Sequence, residues 1–507
     1  MTLKRIRVVL AVVFFALTTF LFLDFAQLLP KEFQILTEIQ FIPALLSGSL
    51  LVFLSLLLLT FFLGRVYCSV ICPMGIFQDI ITWLSNRFTR KKKYRFSKEK
   101  KILRYSVLAV VLISFAAGGT FLLSLLDPYG AFGRMATNVF RPIYLEGNNL
   151  LALLFNSFGN YTFYHVDIFT LSLLSLIIGL ITFLTIGFLA WRYGRTYCNT
   201  ICPVGTILGF ISSYSLMKIR INDGSCNNCG KCETKCKASC IDSKTSKIDY
   251  SRCVDCFDCM KVCKQKAITF GFAHKEQKTK TPSMPDNSKR MFLTAIGATT
   301  LIAPARLYAK GLAKIKSNTS YVKKHPLSPP GSESAEHFLH HCTACHLCVA
   351  KCPTHVLKPA FDEYGLGGIM QPRMDFVHGY CNYNCVTCST VCPNDAIKTL
   401  TVDEKHTLQM GHVVFVKTNC VVFTDETNCG ACSEHCPTQA VKMVPYKNGL
   451  TIPSVNPDIC VGCGGCEHIC PVRPFRAIYV EGNPVHLQAK RFKQGEQKEV
   501  KLDDFGF

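Results

Sequence analysis

The chain has 507 residues, enough for three or more domains, with 29 cysteines and a formal net charge of +22. The charge does not mark a nucleic-acid binder. From Glu336 to the end there are 15 Lys/Arg against 17 Asp/Glu, so the basic excess lies in the first two thirds, in loops beside hydrophobic stretches. Disulfides fit the cysteines poorly, because the total is odd and the thiols recur two or three residues apart.

A helix of about 20 apolar residues crosses a bilayer. Four segments predict such spans: Val8–Leu23, Ala44–Leu63, Ser106–Leu126 and Ile168–Trp191. Lysines and arginines place the N-terminus, the loop Arg65 to Arg104 and the segment after Trp191 in the cytoplasm. Asp24–Pro43 and Asp127–Asp167 then face the other side. His165 and Asp167, beside a span there, are weak candidates for a quinol site; a solvated loop histidine is the plainer reading.

A repeat sits in this half. GRVYCSVICPMG (Gly64–Gly75) matches GRTYCNTICPVG (Gly194–Gly205). Cysteines at i and i+4 share a helix face, and the following proline ends or redirects the turn. Cys68, Cys72, Cys198 and Cys202 could converge on a metal or iron–sulfur centre, act as two redox dithiols, or be small buried residues of a duplicated helix pair.

Next come CNNCGKCETKC (Cys226, Cys229, Cys232, Cys236) and CVDCFDCMKVC (Cys253, Cys256, Cys259, Cys263). Three thiolates on a short loop grip one face of an iron–sulfur cube, and the fourth ligates the neighbouring cluster. Cys226, Cys229 and Cys232 with Cys263 are expected to hold one [4Fe–4S] cluster, and Cys253, Cys256 and Cys259 with Cys236 a second. A zinc ribbon uses paired C-x2-C knuckles and leaves the third regular cysteine unexplained. Lys237 and Lys264 stand where such runs usually have proline, which alters local charge without removing a ligand.

A polar linker, Ala273 to Ser288, leads to a signal-like segment, Ser288 to Lys310. It has Lys289-Arg290, an uncharged run Met291–Ala305, then Arg306. This resembles a twin-arginine export signal with lysine for the first arginine. An amphipathic linker helix is the plain alternative. If the segment crosses, everything beyond it is periplasmic.

After a Pro/Ser-rich stretch, Lys314 to Ser334, four more groups follow: Cys342, Cys345, Cys348, Cys352; Cys381, Cys385, Cys388, Cys392; Cys420, Cys429, Cys432, Cys436; and Cys460, Cys463, Cys466, Cys470. Group two has one extra residue in its first gap, and group three a long first gap. Ala396-Ile397, Ala440-Val441 and Ala477-Ile478 repeat Ala267-Ile268, a small and a branched residue suited to packing against a cluster. Cys240-Ile241 occupies the same place, so Cys240, the odd thiol, reads as a core residue standing in for alanine. Cys342 to His346 matches the C-x-x-C-H haem motif, but both cysteines already belong to a quartet.

The fold class expected is an α-helical transmembrane four-span bundle with α+β ferredoxin-like [4Fe–4S] domains. Residues 1–222 form the membrane domain, 223–272 a dicluster domain, 273–335 a linker containing 288–310, and 336–507 a four-cluster domain. About six clusters in line, with no nucleotide fingerprint, predict a membrane-anchored electron conduit with quinol as the lipid-soluble donor.

The four spans, the two C-x3-C-P motifs and the dicluster tail (roughly Met1–Phe272) resemble the NapH-type membrane ferredoxins. The export-like signal and four cysteine groups (roughly Ser288–Phe507) resemble the NapG-type ferredoxins. The chain is similar to a fusion of the two. The resemblance implies quinol oxidation at the inner membrane coupled to a periplasmic terminal reductase or its electron-carrier subunit; the four expected crossings return the chain to the cytoplasm, where the dicluster domain is therefore expected. The resemblance also implies that fourth cysteines are exchanged between groups one and four and between two and three. Cys470 would then complete group one, Cys352 group four, Cys436 group two and Cys392 group three. C-x3-C-P membrane ferredoxins also resemble proteins that reduce copper or support metalloenzyme maturation, which is the alternative function.

Overall fold

The computed structural model describes residues 3–88, 94–168, 172–272 and 323–490. The signal-like segment 288–310 lies outside the described residues.

The first half is helical: α1 (Leu3–Leu23), α2 (Ile35–Glu38), α3 (Phe41–Leu46), α4 (Leu50–Leu63), α5 (Val66–Val70), α6 (Pro73–Phe88), α7 (Lys101–Ala116), α8 (Phe121–Leu126), α9 (Pro128–Met135), α10 (Arg141–Asn156), α11 (Leu173–Tyr193), α12 (Thr196–Thr200) and α13 (Pro203–Ser212). Among the described residues two helices, α1 and α11, are long and apolar enough to cross a bilayer, which corrects the expectation of four uninterrupted spans. The expected Ala44–Leu63 span breaks at Ser47–Ser49, where Gly48 has φ 68°, and leaves α4 with 14 residues. The expected Ser106–Leu126 span breaks at Gly118, φ 85°, between α7 and α8. Glycine adopts this left-handed conformation without the Cβ clash that deters other residues.

The two copies of the repeat form interlocked helical turns. Proline does more than end a turn: Pro73 and Pro203 are the first residues of α6 and α13, where a missing N–H costs nothing. α6 lies along α11. The Phe77 and Phe183 rings are 5.7 Å apart, and Thr82 and Ser85 donate to the Ala190 and Trp191 carbonyls. α13 packs reciprocally on α4, and also on α7.

Strands occur in two-stranded antiparallel sheets. β1 (Met217–Ile221), β2 (Ile241–Asp242), β3 (Lys247–Ile248) and β4 (Ile268–Phe272) pair β1 with β4 and β2 with β3. They enclose a separate core of Ile219, Ile241, Phe257 and Ile268. Downstream, β5 (Leu357–Pro359) pairs with β6 (Pro372–Met374), β7 (Leu408–Phe415) with β10 (Ile478–Gln488), and β8 (Val441–Pro445) with β9 (Thr451–Val455). All five small-plus-branched pairs, Cys240-Ile241 included, are buried.

The helix α1 spans the distance between the two cysteine-rich units. At its start Lys4 pairs with Asp258, and Arg7 with Asp79 beside Lys237. Just past its end Asp24 pairs with Lys351 at 2.8 Å. Helical rise puts these two docking points about 30 Å apart. The dicluster unit therefore packs on one end of the bundle and the four-group unit on the other.

Candidate functional site

Four of the six cysteine groups share one loop geometry. The residue before the second cysteine and the residue after it are both left-handed: Asn228 and Gly230, Asp255 and Phe257, Ala344 and His346, Gly462 and Gly464, with φ between 47° and 79°. A left-handed non-glycine residue costs about 1–2 kcal/mol, so Asp255, Phe257, Ala344 and His346 are held there by their surroundings. Alternation of this kind turns successive N–H groups into one concavity that favours negative charge. The Ala344 N–H, for example, donates to Cys342 Sγ at 3.4 Å. Three thiols then face a common space.

The fourth cysteines have a shared geometry too. The third residue after Cys236, Cys263, Cys352, Cys392 and Cys436 is left-handed in each case: Ser239, Lys266, His355, Asp395 and Gln439. Lys237 and Lys264 therefore follow the same turn as the proline-bearing groups. Lys237 Nζ reaches Asp79 at 2.8 Å, so the lysine variant also ties the dicluster unit to α6.

In the first unit Cys226, Cys229, Cys232 and Cys263 line one cavity. Cys236 lies in electrostatic reach of Cys253, Cys256 and Cys259. Cys240 is buried as expected, but it also touches this second set, with its Sγ 3.5 Å from Cys236 Sγ.

In the second unit the grouping differs from the exchange that the resemblance implied. Cys392 lies with Cys342, Cys345 and Cys348, and Cys352 with Cys381 and Cys388. Cys470 lies with Cys420 and Cys432, and Cys436 with Cys460, Cys463 and Cys466. Exchange is thus between adjacent groups, one with two and three with four. The cause is helix packing. The helix Leu347–Lys351 lies against Thr387–Thr390, and Ala431–Glu434 against Gly465–Ile469, as Lys231–Lys235 lies against Asp258–Val262 in the first unit. Each pair delivers its fourth thiol to its neighbour.

Sequence reasoning missed Lys405. It is buried, donates to Cys381 Sγ at 3.3 Å and to the Asn382 carbonyl, and so supports the irregular second group. No spacing rule points to a lysine 24 residues downstream. His346, the histidine of the haem-like motif, is fully buried and donates from Nε2 to the Met370 carbonyl at 2.9 Å. Burial and the Arg134 charge push its pKa down to about 3, so it is neutral.

The C-x3-C-P thiols converge. Cys68, Cys72, Cys198 and Cys202 are all buried in one core and lie in electrostatic reach of one another. The repeat copies clasp each other: Arg65 Nη2 donates to the Cys198 carbonyl at 3.2 Å, and Arg195 Nη1 to the Cys68 carbonyl at 2.6 Å. A Cβ at Gly75 or Gly205 would collide with these same carbonyls, which explains the glycine that closes each motif. The thiols receive donors from Gln78 Nε2 (to Cys198, 3.0 Å), Gly205 N–H (to Cys202, 3.3 Å) and Arg65 (to Cys68, 3.7 Å).

All 29 cysteines are free of disulfides. Among the described residues no three His, Cys, Asp or Glu side chains converge tightly enough for a single metal ion. His165 and Asp167 are exposed, 3.8 Å apart. Asp167 lines a cavity of about 250 Å³ with Asp24, Arg141 and Cys352, whereas His165 is outside that lining.

Residues 47–92 and 174–222 match a family described as 4Fe-4S binding domain, and residues 249–356 and 427–473 match two families each described as 4Fe-4S dicluster domain. The chain carries 4Fe–4S ferredoxin-type domains. It is similar to the ferredoxin-type protein NapF of Escherichia coli, 28% identical over 160 residues (31% of this chain, 87% of the relative). It is also similar to the ferredoxin-type protein NapH of Haemophilus influenzae, 26% identical over 216 residues (41% of this chain, 62% of the relative). The putative electron transport protein YccM of Escherichia coli is 23% identical over 223 residues (44% of this chain, 55% of the relative). No solved structure matches. These relatives and domains support iron–sulfur electron transfer. The 427–473 match encloses Cys429 to Cys470, which are the thiols of groups three and four except Cys420.

Proposed function

We propose that the chain is a membrane-bound polyferredoxin that takes electrons from the quinol pool and passes them to a terminal reductase on the far side of the bilayer. In this reading the NapH-like and NapG-like halves are fused. The six quartets, from Cys226–Cys236 to Cys460–Cys470, hold [4Fe–4S] clusters, which supply one-electron carriers of tunable potential. The protein's part is to set spacing and charge: paired helices deliver the fourth thiols, and buried Lys405 and Lys237 place positive charge near the sites.

The observation that carries the proposal is the packing of two cysteine-rich units on opposite ends of one helical bundle, with Lys4–Asp258 at one end of α1 and Asp24–Lys351 at the other. The bundle flank supports a lipid setting. Leu50, Leu51, Leu54 and Leu58 of α4 and Leu173, Ile181, Leu184 and Phe188 of α11 are exposed. An apolar surface of that extent is costly in water. With α1 and α11 as the two crossings, the chain after α11 returns to the side on which it began. The dicluster unit is then cytoplasmic and the four-group unit periplasmic.

The test is anaerobic purification with iron and sulfide analysis, followed by reduction with a menaquinol analogue. About six clusters or more per chain, reducible by quinol, is the expected result. Fewer than four, or no reduction, overturns the proposal. If the chain instead matures a metalloenzyme, its loss leaves the target without metal, and an artificial electron donor does not restore activity.

A further inference from the structure

Where the end of α11 meets the dicluster unit there is a cavity of about 940 Å³. Its charges are one-sided. Arg95, Lys98, Lys100, Arg192 and Arg252 line it, and no aspartate or glutamate does. The carboxylates near by are already engaged. Glu99 pairs with Arg104, Glu233 accepts from the Ser243 and Phe96 N–H groups, and Asp249 accepts from Arg252 Nε at 2.6 Å. Among the described residues Arg95, Lys98, Lys100 and Arg192 form no ion pair. A cleft lined by one sign of charge concentrates ions of the other sign.

One donor in this lining is also spare. Arg252 is only 4% exposed. Its Nη1 donates to Ser97 Oγ at 3.3 Å, but its Nη2 has no hydrogen-bond partner. A buried donor without an acceptor is unfavourable, and an anion in the cavity would supply the acceptor.

The cavity has two kinds of wall. Segment 94–100 is strapped to the dicluster unit: the Tyr94 and Ser97 N–H groups donate to the Thr234 and Ser239 carbonyls, at 3.1 and 3.2 Å. The opposite wall is the end of α11, with Leu189, Trp191 and Tyr193. An apolar stripe leads to that wall. Ile181, Leu184, Phe188 and Trp191 are all exposed, and their spacing of three or four residues puts them on one helix face. The stripe rises about 15 Å, which is half of a hydrocarbon core about 30 Å thick and so the depth of one leaflet. Trp191 belongs to both stripe and cavity. Tryptophan and tyrosine at such a junction suit the headgroup level of a bilayer.

We propose that this cavity binds the phosphate of an anionic phospholipid, with an acyl chain along the α11 stripe, and that the lipid clamps the dicluster unit to the bundle. The inference rests on the membrane setting above, but not on quinol or on any electron acceptor. Binding makes and breaks no covalent bond. Inorganic phosphate offers the same oxygens but nothing for the stripe. Phosphatidylcholine fits the stripe but brings a cation of its own to the basic wall.

The full chain is purified without oxygen in detergent, stripped of lipid, and compared with two double variants. Lys98→Gln/Arg192→Gln removes two exposed cations of the cavity. Arg5→Gln/Arg87→Gln removes two exposed cations outside that lining. Phosphatidylglycerol, phosphatidylcholine and inorganic phosphate are titrated in turn. Bound lipid is counted by native mass spectrometry, and amide hydrogen exchange is followed in residues 94–100 and 237–252. The wild type is expected to bind phosphatidylglycerol about tenfold or more tightly than phosphatidylcholine, and to exchange more slowly in both segments when it does. The cavity pair is expected to lose about tenfold or more in phosphatidylglycerol affinity, and the outside pair less than about threefold. Equal binding of the two lipids, or an outside pair that weakens binding as much as the cavity pair, overturns the site. Unchanged exchange on binding overturns the clamp. Inorganic phosphate that displaces phosphatidylglycerol at equal concentration assigns the anion to solution and overturns the lipid. Each of these results leaves cluster reduction by quinol standing, whereas a chain that stays in solution without detergent overturns the membrane setting itself.

Discussion

The two cysteine-rich units use the same loops and turns but are attached to the bundle in different ways. The dicluster unit keeps a core of its own and meets the bundle mainly through charged side chains: Lys4 with Asp258, Lys237 with Asp79, Arg104 with the Ser251 carbonyl. The four-group unit shares one unbroken apolar core with the bundle, which includes Phe22 and Phe132 from the helices and Phe338, Leu347 and Phe376 from the unit. Its main-chain carbonyls face the helices directly. Thr120 donates to Leu339, Ser124 to Cys342, Arg134 to Ala344 and Arg141 to Ala350. The unit that is remote in sequence, beyond residues 273–322, is thus the one more deeply built into the bundle. Carbonyls around group one must be satisfied once they leave water, and the bundle's arginines and hydroxyls do so.

This contrast can be broken most sharply at Asp24. Asp24→Asn leaves Lys351 buried without its counter-charge, at a cost of about 3 kcal/mol or more. After proteolytic cutting of the linker, the wild-type four-group unit is expected to stay with the helices, and the variant's to separate on a sizing column. Burial opposes ionisation of Asp24, yet the Lys351 bond and the Leu28 and Leu29 N–H groups outweigh it and lower its pKa. Its stabilisation is therefore present above the usual carboxylate value near about 3.9. It fades as pH falls through the lowered folded value, so acid should release the wild-type unit and change Asp24→Asn less.

Arg134→Leu removes the donor to Ala344 and to the Leu125 carbonyl, and is expected to cost about 2 kcal/mol, read as earlier release of the unit in urea. Lys4→Ala touches a partly exposed pair at the other end, with side chains 31% and 21% exposed. The expected loss is below about 1 kcal/mol, and the dicluster unit should remain attached. If Lys4→Ala releases its unit as readily as Asp24→Asn does, the contrast fails. Smallest in stability is Cys240→Ala. Its iron content should be unchanged, with a shift in the potential of one dicluster centre in an EPR titration, because a thiol beside Cys236 Sγ is lost.

Some of this was legible in advance because its cause is local. Cysteines two and three residues apart on a loop announce cluster chemistry, and a twelve-residue repeat announces duplication. The interruptions of the second and third spans were less visible, since Gly48 and Gly118 sit in stretches whose hydropathy hides a break. The fourth-cysteine exchange was misjudged: each run points its last thiol at whichever helix packs beside it, and spacing does not name that helix.

From the sequence by itself came the thiol groups, the repeat and the likeness of the two units, because loop spacing and periodicity act over a few residues. Only the tertiary structure decided which groups share thiols, that four thiols about 130 residues apart in sequence meet between Arg65 and Arg195, and that the two units occupy opposite ends of the bundle. Those outcomes depend on helix packing and on where buried charges and carbonyls find partners, which is settled between distant segments and not within any one of them.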